Sequence, residues 1–356
     1  MKVNEKGDNL MDTAIENAEK NKVIKKVKYN SIDLFKFIMA VFVIAIHTNP
    51  LVNCTNITVL KIYDIIIPSA VPFFFLASGF LIATKFSKPY NSVDNISIIK
   101  KTLIKMIKLY CLWMLAYLPL TIYGYIKDGH SIYKMIFLYI RGFFLIGEHY
   151  NSWILWYLLS TIYSLIFILI LSKLRLNLKA ITIFGFFIIL FGFVINDFVN
   201  YSGELPSFLN KIKLLFDYTI VNGRIFQGMF YIPMGMIIAD KKKDLRLAIP
   251  LMLVGFIGNY FYDGIIGNVF LLICSIGIIL VILNIKLKDH KIYPVLRKSS
   301  TILYFTHCYV WTIYYTIVYK TLTRGWDSFI VTTFVCIAIS LLYQLKMILP
   351  IKKNIN

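Results

Sequence analysis

The sequence predicts an all-α fold, a polytopic transmembrane helical bundle of about ten spans, and three observations carry that prediction. First, apolar residues fill 58% of the 356 positions, charged residues only 16%, and mean hydropathy is +0.71. Soluble domains carry roughly one-quarter charged residues, so a soluble globular protein is excluded. Second, apolar runs long enough to cross ~30 Å of hydrocarbon, about 20 helical residues each, recur along the chain. Third, the 38 Lys+Arg against 18 Asp+Glu leave a formal charge of +20. In a soluble chain that excess would point to nucleic acid. Here it divides between alternate loops, as membrane orientation requires, so the expected partner is the lipid bilayer and no nucleic acid.

Residues 1–30 are polar and mixed in charge, without an apolar core or a small-residue cleavage site, and read as a cytoplasmic arm rather than a signal peptide. Residues 31–348 form the membrane domain. Its candidate spans lie near 34–52, 62–83, 103–126, 153–171, 180–199, 225–239, 247–262, 265–284, 301–319 and 328–347. A further apolar stretch at 135–147 is short and carries Arg141 at its middle. Residues 349–356 are a short basic tail, expected to be either the end of a stand-alone protein or a truncation point before a soluble domain.

Loop charge decides the status of 135–147. With ten crossings and both termini cytoplasmic, 28 Lys+Arg fall on the inner side and 9 on the outer. An eleventh crossing would invert every later loop and send Lys241–Lys243 outside. The stretch therefore reads as re-entrant or interfacial, and the chain as a multi-pass protein of the cell membrane. The five cysteines show no paired spacing, so neither a disulfide framework nor a metal site is expected.

Ionisable groups within spans cost ~2.5–3.5 kcal/mol each near the bilayer centre, which makes each a candidate for function. The first span holds Asp33, Lys36 and His47. Lys36 and His47 stand eleven residues apart, almost three turns, on one helix face and about 16 Å apart along its axis. Asp33 is placed one turn before Lys36 and can pair with it. Interfacial snorkelling explains Asp33 and Lys36 equally well. In a later span Ser300, Tyr304 and His307 share a face, with an interhelical hydrogen bond as the structural alternative. The assigned topology puts His307 toward the inner side and His47 toward the outer.

Arg141, Glu148 and His149 cluster just before Trp153 and Trp156, where an aromatic belt explains the rings but not the charges. Arg224 and Gln227 open another span. Lys101, Lys105 and Lys108 repeat at about one-turn spacing at the mouth of the third span, suited either to anionic lipid headgroups or to the phosphates of an anionic donor.

These residues, in this order, resemble the acyltransferase-3 family of membrane proteins. The resemblance covers essentially all of 31–345. It rests on the ten residues separating Lys36 from His47, the Phe73-Phe-Phe-Leu-Ala-Ser78-Gly79-Phe80 run, Lys101/Lys105/Lys108, Leu155-Trp156-Tyr157-Leu158, the run from Phe226 through Gly228 to Gly235, and Ser300/Tyr304/His307. Asp33-Leu-Phe-Lys36, Ala45-Ile-His47-Thr-Asn-Pro50 and Ala70-Val-Pro72 are similar to the membrane half of vancomycin-resistance serine racemases. The family's first-span cation is usually Arg; Lys36 cannot form a bidentate fork to phosphate or carboxylate.

The resemblance implies an enzyme that takes an acyl group from acyl-CoA, a co-substrate rather than a tightly bound cofactor, and passes it to a small-molecule or glycan acceptor at or across the membrane. His47 would be base or transient acyl carrier, Asp33 would fix Lys36, and Lys36, Lys105 and Lys108 would attract the donor. Arg141 and Glu148 would shape the acceptor side; Ser78, Trp156, Arg224, Gln227, Ser300, Tyr304 and His307 complete the expected binding set. The alternative implied by the racemase likeness is a membrane domain that binds or imports serine for an attached or associated cytoplasmic, pyridoxal-phosphate-dependent racemase domain.

Overall fold

The computed structural model describes residues 28–240, 244–321 and 323–348. Most of the N-terminal arm, the Lys241–Lys243 cluster and the basic tail lie outside the described residues. Among the described residues every regular element is helical. In chain order the helices are α1 Asn30–Thr48, α2 Ile57–Ile66, α3 Ala70–Ala83, α4 Val93–Lys127, α5 Ile132–Arg141, α6 Trp156–Lys173, α7 Leu178–Val199, α8 Ser207–Thr219, α9 Gln227–Asp240, α10 Leu245–Phe261, α11 Gly264–Asn284, α12 Ile292–Val318 and α13 Trp326–Ile348. Short helical turns at Gly142–Ile146, Trp153–Leu155 and Arg224–Phe226 connect α5 to α6 and lead into α9.

All ten expected spans are helical, and seven helical stretches among the described residues are long and apolar enough to cross a membrane. The other three fall short of that standard for visible reasons. α9 has 14 residues and α10 has 17, while α12 has 27 but its apolar run is diluted by Tyr, Thr and His side chains. The span expected at 62–83 is split between α2 and α3 at Pro68, which has no N–H to continue the ladder; the Ser69 hydroxyl instead donates to the Ile66 carbonyl at 2.5 Å.

α4 runs for 35 residues, about 52 Å, so some 15 residues project beyond a ~30 Å core. Lys101, Lys105 and Lys108 stand on that lysine-rich half and are exposed. α5 has ten residues and spans only about 15 Å, too little to cross. None of its residues is buried, and the same holds for α8. The two helices touch through Phe137 and Tyr218, whose rings stack at 6.0 Å. α8, with its exposed Phe208, Leu214 and Leu215, is a second surface helix that hydropathy alone does not single out.

The central packing joins α3 to α9. Between lipid-soluble helices there is no hydrophobic force to draw faces together, so close approach of backbones and dispersion contacts must supply it. Gly79 lies against the Ile232 carbonyl and Gly235 against the Leu76 carbonyl, each so close that a Cβ would overlap the opposing backbone. Phe73, Phe75, Leu76, Phe80, Ile232 and Met236 fill the surrounding core with almost no exposure.

Gly79→Val or Gly235→Val should therefore force α3 and α9 apart, a cost of at least about 1–3 kcal/mol. The expected outcome is a lower unfolding temperature and a smaller monodisperse fraction in detergent. A valine variant with unchanged melting would show that the helices can separate freely.

Candidate functional site

α1 and α12 lie side by side and run in the same direction. The Asn30 amide donates to the Asp289 carboxylate at 2.8 Å, Asp33 pairs with Arg297 at 3.3 Å, and Ala40 and Ile44 pack with Leu303. Further along, the His47 and His307 rings meet with centroids 5.3 Å apart. The register corrects two expectations. Asp33 is paired with Arg297 on the neighbouring helix, and Lys36 stands half-buried outside that pair. The two histidines are at one level rather than at opposite sides, because α12 starts nine residues before the apolar run at 301 and so carries His307 to the height of His47.

His47 occupies the last turn of α1. The helix ends at Asn49 in the left-handed region (φ 38°), and the Gly325 N–H donates to the Thr48 carbonyl at 2.8 Å, tying the α12–α13 connection over this end. Tyr63 of α2 donates its hydroxyl to the Ala45 carbonyl at 2.9 Å. The backbone of this last turn is thus held from two sides, and the His47 ring stacks on Trp153 at 6.2 Å.

The ring forms part of the wall of a cavity of about 130 Å³ that is also lined by Phe74, Trp156, Tyr157, Arg224 and Tyr304. Tyr157 shares a 3.2 Å hydrogen bond with Ser78, and Tyr304 donates to the Ile154 carbonyl at 2.5 Å. Arg224 pairs with Glu148 and lays its guanidinium over the Trp156 ring, 5.0 Å from the centroid. The turn that presents Arg224 begins at Gly223 (φ 68°), which lies against the backbone of Gly192 in α7, so a side chain is excluded there.

Behind His47, His307 is fully buried and its Nδ1 is 3.0 Å from the Leu303 carbonyl. A carbonyl only accepts, so Nδ1 carries the proton and Nε2 the lone pair, which has no partner. Cys308 is equally buried, and one donor atom from each of His47, His307 and Cys308 lies within 4.8 Å of the other two. Sequence spacing gives no sign of this group, because His47 is brought to His307 and Cys308 by the packing of two helices far apart in the chain.

The remaining expected residues separate by place. His47, Trp156, Arg224 and Tyr304 line the cavity, with Ser78, His307 and Glu148 directly behind them. Gln227 opens α9 beyond Arg224 but does not line the cavity. Ser300 is turned away from any ligand role, its hydroxyl donating to the Arg297 carbonyl of its own helix at 2.8 Å. Arg141 does not join Glu148 at the cavity; its guanidinium sits over Tyr218 at 4.3 Å. Lys101, Lys105 and Lys108 are outside the cavity on exposed α4. Tyr157 and Arg297 also take part in these contacts, and nothing local in the sequence marks either as a partner.

A second polar layer covers this end of the bundle. His149 accepts or donates at Nδ1 with the Tyr125 hydroxyl (3.1 Å) and stacks on Tyr139 at 4.5 Å. Burial, with the nearby Arg141 charge adding to it, pulls the His149 imidazole down to about 4, so it is neutral in the physiological range.

The Glu148 and Arg224 side chains are only about one-fifth exposed. Removing one partner leaves an uncompensated charge, which costs on the order of 3 kcal/mol, whereas replacing both by apolar groups of similar volume is close to neutral. Glu148→Ala is expected to lower the unfolding temperature in detergent, and Glu148→Leu combined with Arg224→Met to recover most of the loss. Equal destabilisation by both variants would mean that the pair is not the source of the stability.

A family model described as an acyltransferase domain, that of acyltransferase-3, matches residues 29–345. Two curated relatives, both named amino-acid racemase and both from Enterococcus faecalis, are similar to this chain. One is 32% identical over 225 residues, covering 62% of this chain and 30% of the relative; the other is 27% identical over 249 residues, covering 69% and 33%. The chain therefore spans about a third of the length of the curated relatives it matches. No solved structure matches. The matched residues run from the start of α1 to near the end of α13 and take in the whole histidine-lined cavity, so this chain belongs to the acyltransferase-3 family of multi-pass membrane proteins.

Proposed function

We propose that this protein transfers a short acyl group from an acyl-CoA-type donor to a hydroxyl-bearing acceptor, with His47 as the general base. The observation that carries the reading is His47 in the wall of a small cavity whose other polar lining is Arg224, Tyr157 and Tyr304. A neutral imidazole can take the acceptor's hydroxyl proton as the oxygen attacks the thioester carbonyl. The carbonyl oxygen becomes an oxyanion, for which the Arg224 guanidinium is the available cation. Collapse breaks the carbon–sulfur bond, and the imidazolium returns the proton to the departing thiolate. The products are the acylated acceptor and the free thiol, and His47 is neutral again.

Cavity size supports a short acyl group. At about 130 Å³ it holds the equivalent of roughly four waters, which suits an acyl chain of a few carbons. The lysines of projecting α4 lie outside the cavity, where a donor's phosphates would stay in water. The division of Lys+Arg between loops supports both termini on the cytoplasmic side, where acyl-CoA is found.

The names of the two relatives favour a second reading, in which the bundle binds or imports a small amino acid such as serine for a pyridoxal-phosphate-dependent racemase domain. A zwitterion needs a cation and an anion in the same site. Arg224 and Glu148 supply both, but they are paired with each other, and binding would have to separate them.

His47→Ala is expected to lower acyl transfer by ~10²-fold or more while leaving the unfolding temperature unchanged. Thioester cleavage and uptake of labelled serine should be measured on the same proteoliposomes. Cleavage that requires His47 establishes the transferase; serine uptake without cleavage, indifferent to His47, replaces it with the transport reading.

A further inference from the structure

We infer that His47, His307 and Cys308 form a binding site for a soft monovalent metal ion, of the kind represented by Cu⁺ or Ag⁺. The inference goes beyond acyl transfer and does not depend on it. Two imidazoles and a thiol bring one donor atom each to within 4.8 Å of one another. Ligands at about 2.0–2.3 Å from a three-coordinate ion stand roughly 3.5–4 Å apart, so side-chain torsions need close the triangle by only about 1 Å. His307 is already set for the role. Its Nδ1 is turned back to the Leu303 carbonyl at 3.0 Å, an outer hydrogen bond of the sort that orients metal-bound histidines, and its Nε2 is buried without a partner. The third donor, His47, lies in the cavity wall, which gives an ion a route to the buried pair.

The charge of the site selects the ion. Thiolate and imidazole ligands suit soft ions, Cu⁺ foremost. In a low-dielectric bundle a net charge at the site is costly. Two neutral imidazoles and one thiolate around a monovalent ion sum to zero. A divalent ion would leave one positive charge on the cavity wall shared with Arg224, whose carboxylate partner Glu148 is already committed. Binding replaces the Cys308 thiol proton by the ion; the proton leaves to solvent and no electron is transferred.

The probe is Ag⁺, which does not change oxidation state, added to the full chain in chloride-free detergent buffer. Cys54 and Cys111 are partly exposed and are first replaced by Ser to remove competing thiols. One Ag⁺ per chain should survive desalting, and His307→Gln or Cys308→Ser should weaken retention by at least ~10-fold. X-ray absorption on the Ag⁺-loaded parent, which needs no further variant to fold, should show one sulfur and nitrogen neighbours together. Failure of the parent to retain Ag⁺, retention unaffected by Cys308→Ser, or a sulfur-only shell would each overturn the site.

Discussion

A guanidinium placed among apolar helices has to be compensated inside the protein, and the architecture around Arg224 follows from that demand. Glu148 supplies the countercharge from the connection between α5 and α6, and Trp156 supplies a ring face from the first turn of α6. To deliver the arginine there, the chain before α9 makes a tight turn at Gly223 against Gly192 of α7. Three stretches far apart in sequence, around 148–156, Gly192 and Gly223–Arg224, are thus tied to one charge. The same ties bring Trp156 and Tyr157 opposite Phe74 and close the cavity on that side. The pair contributes no net charge, so the desolvation it carries is partly repaid by the attraction between the two groups, which an unpaired guanidinium would lack.

The opposite wall depends on the parallel course of α1 and α12. Their lower ends are tied by polar contacts, Asn30 to Asp289 and Asp33 to Arg297, and their middles by the tight contact of Ala40 and Ile44 with Leu303. At 1.5 Å per residue, His47 stands about 25 Å above Asn30, and His307 at nearly the same height above Asp289. The histidine contact is a consequence of register set about three to four turns below. A change at Asp33 or Arg297 therefore acts on the histidine pair through the relative height of two helices, although neither residue touches an imidazole.

These relations explain which parts of the protein were legible in its sequence. The spans were, because each is a continuous apolar run whose length must match the bilayer, and the ten runs are all helical. So were the individual residues that are costly in lipid, among them Asp33, His47, Glu148, Arg224 and His307. Their partners were not. Local periodicity places Asp33 near Lys36 on one helix, yet Arg297 reaches it from α12. Counting His307 from the start of the apolar run put it near the wrong side, because α12 begins earlier among polar residues that hydropathy assigns to a loop. The amphipathic α8 was missed for a related reason: its Lys211 and Lys213 dilute the apolar signal of a helix that lies against the bundle without entering it.

The separation of charges bears on how the proposed transfer is organised. The one cation lining the cavity is compensated by a carboxylate behind it, and the remaining polar lining is two tyrosine hydroxyls and one imidazole. Such a place accepts a neutral thioester and a neutral hydroxyl but gives no lodging to several phosphates, whose desolvation nothing there would offset. The uncompensated lysines are on the projecting half of α4, outside the apolar layer, where they remain hydrated and can meet an anion without desolvation. A donor with an anionic head and a neutral reactive end fits that division, because head and end can bind in different dielectric environments at once. A zwitterion fits it less well, since both of its charges must enter the same small space. The Arg224–Glu148 pair then does more than stabilise the fold: with its ground-state charges matched, it biases the site toward binding neutral reacting groups.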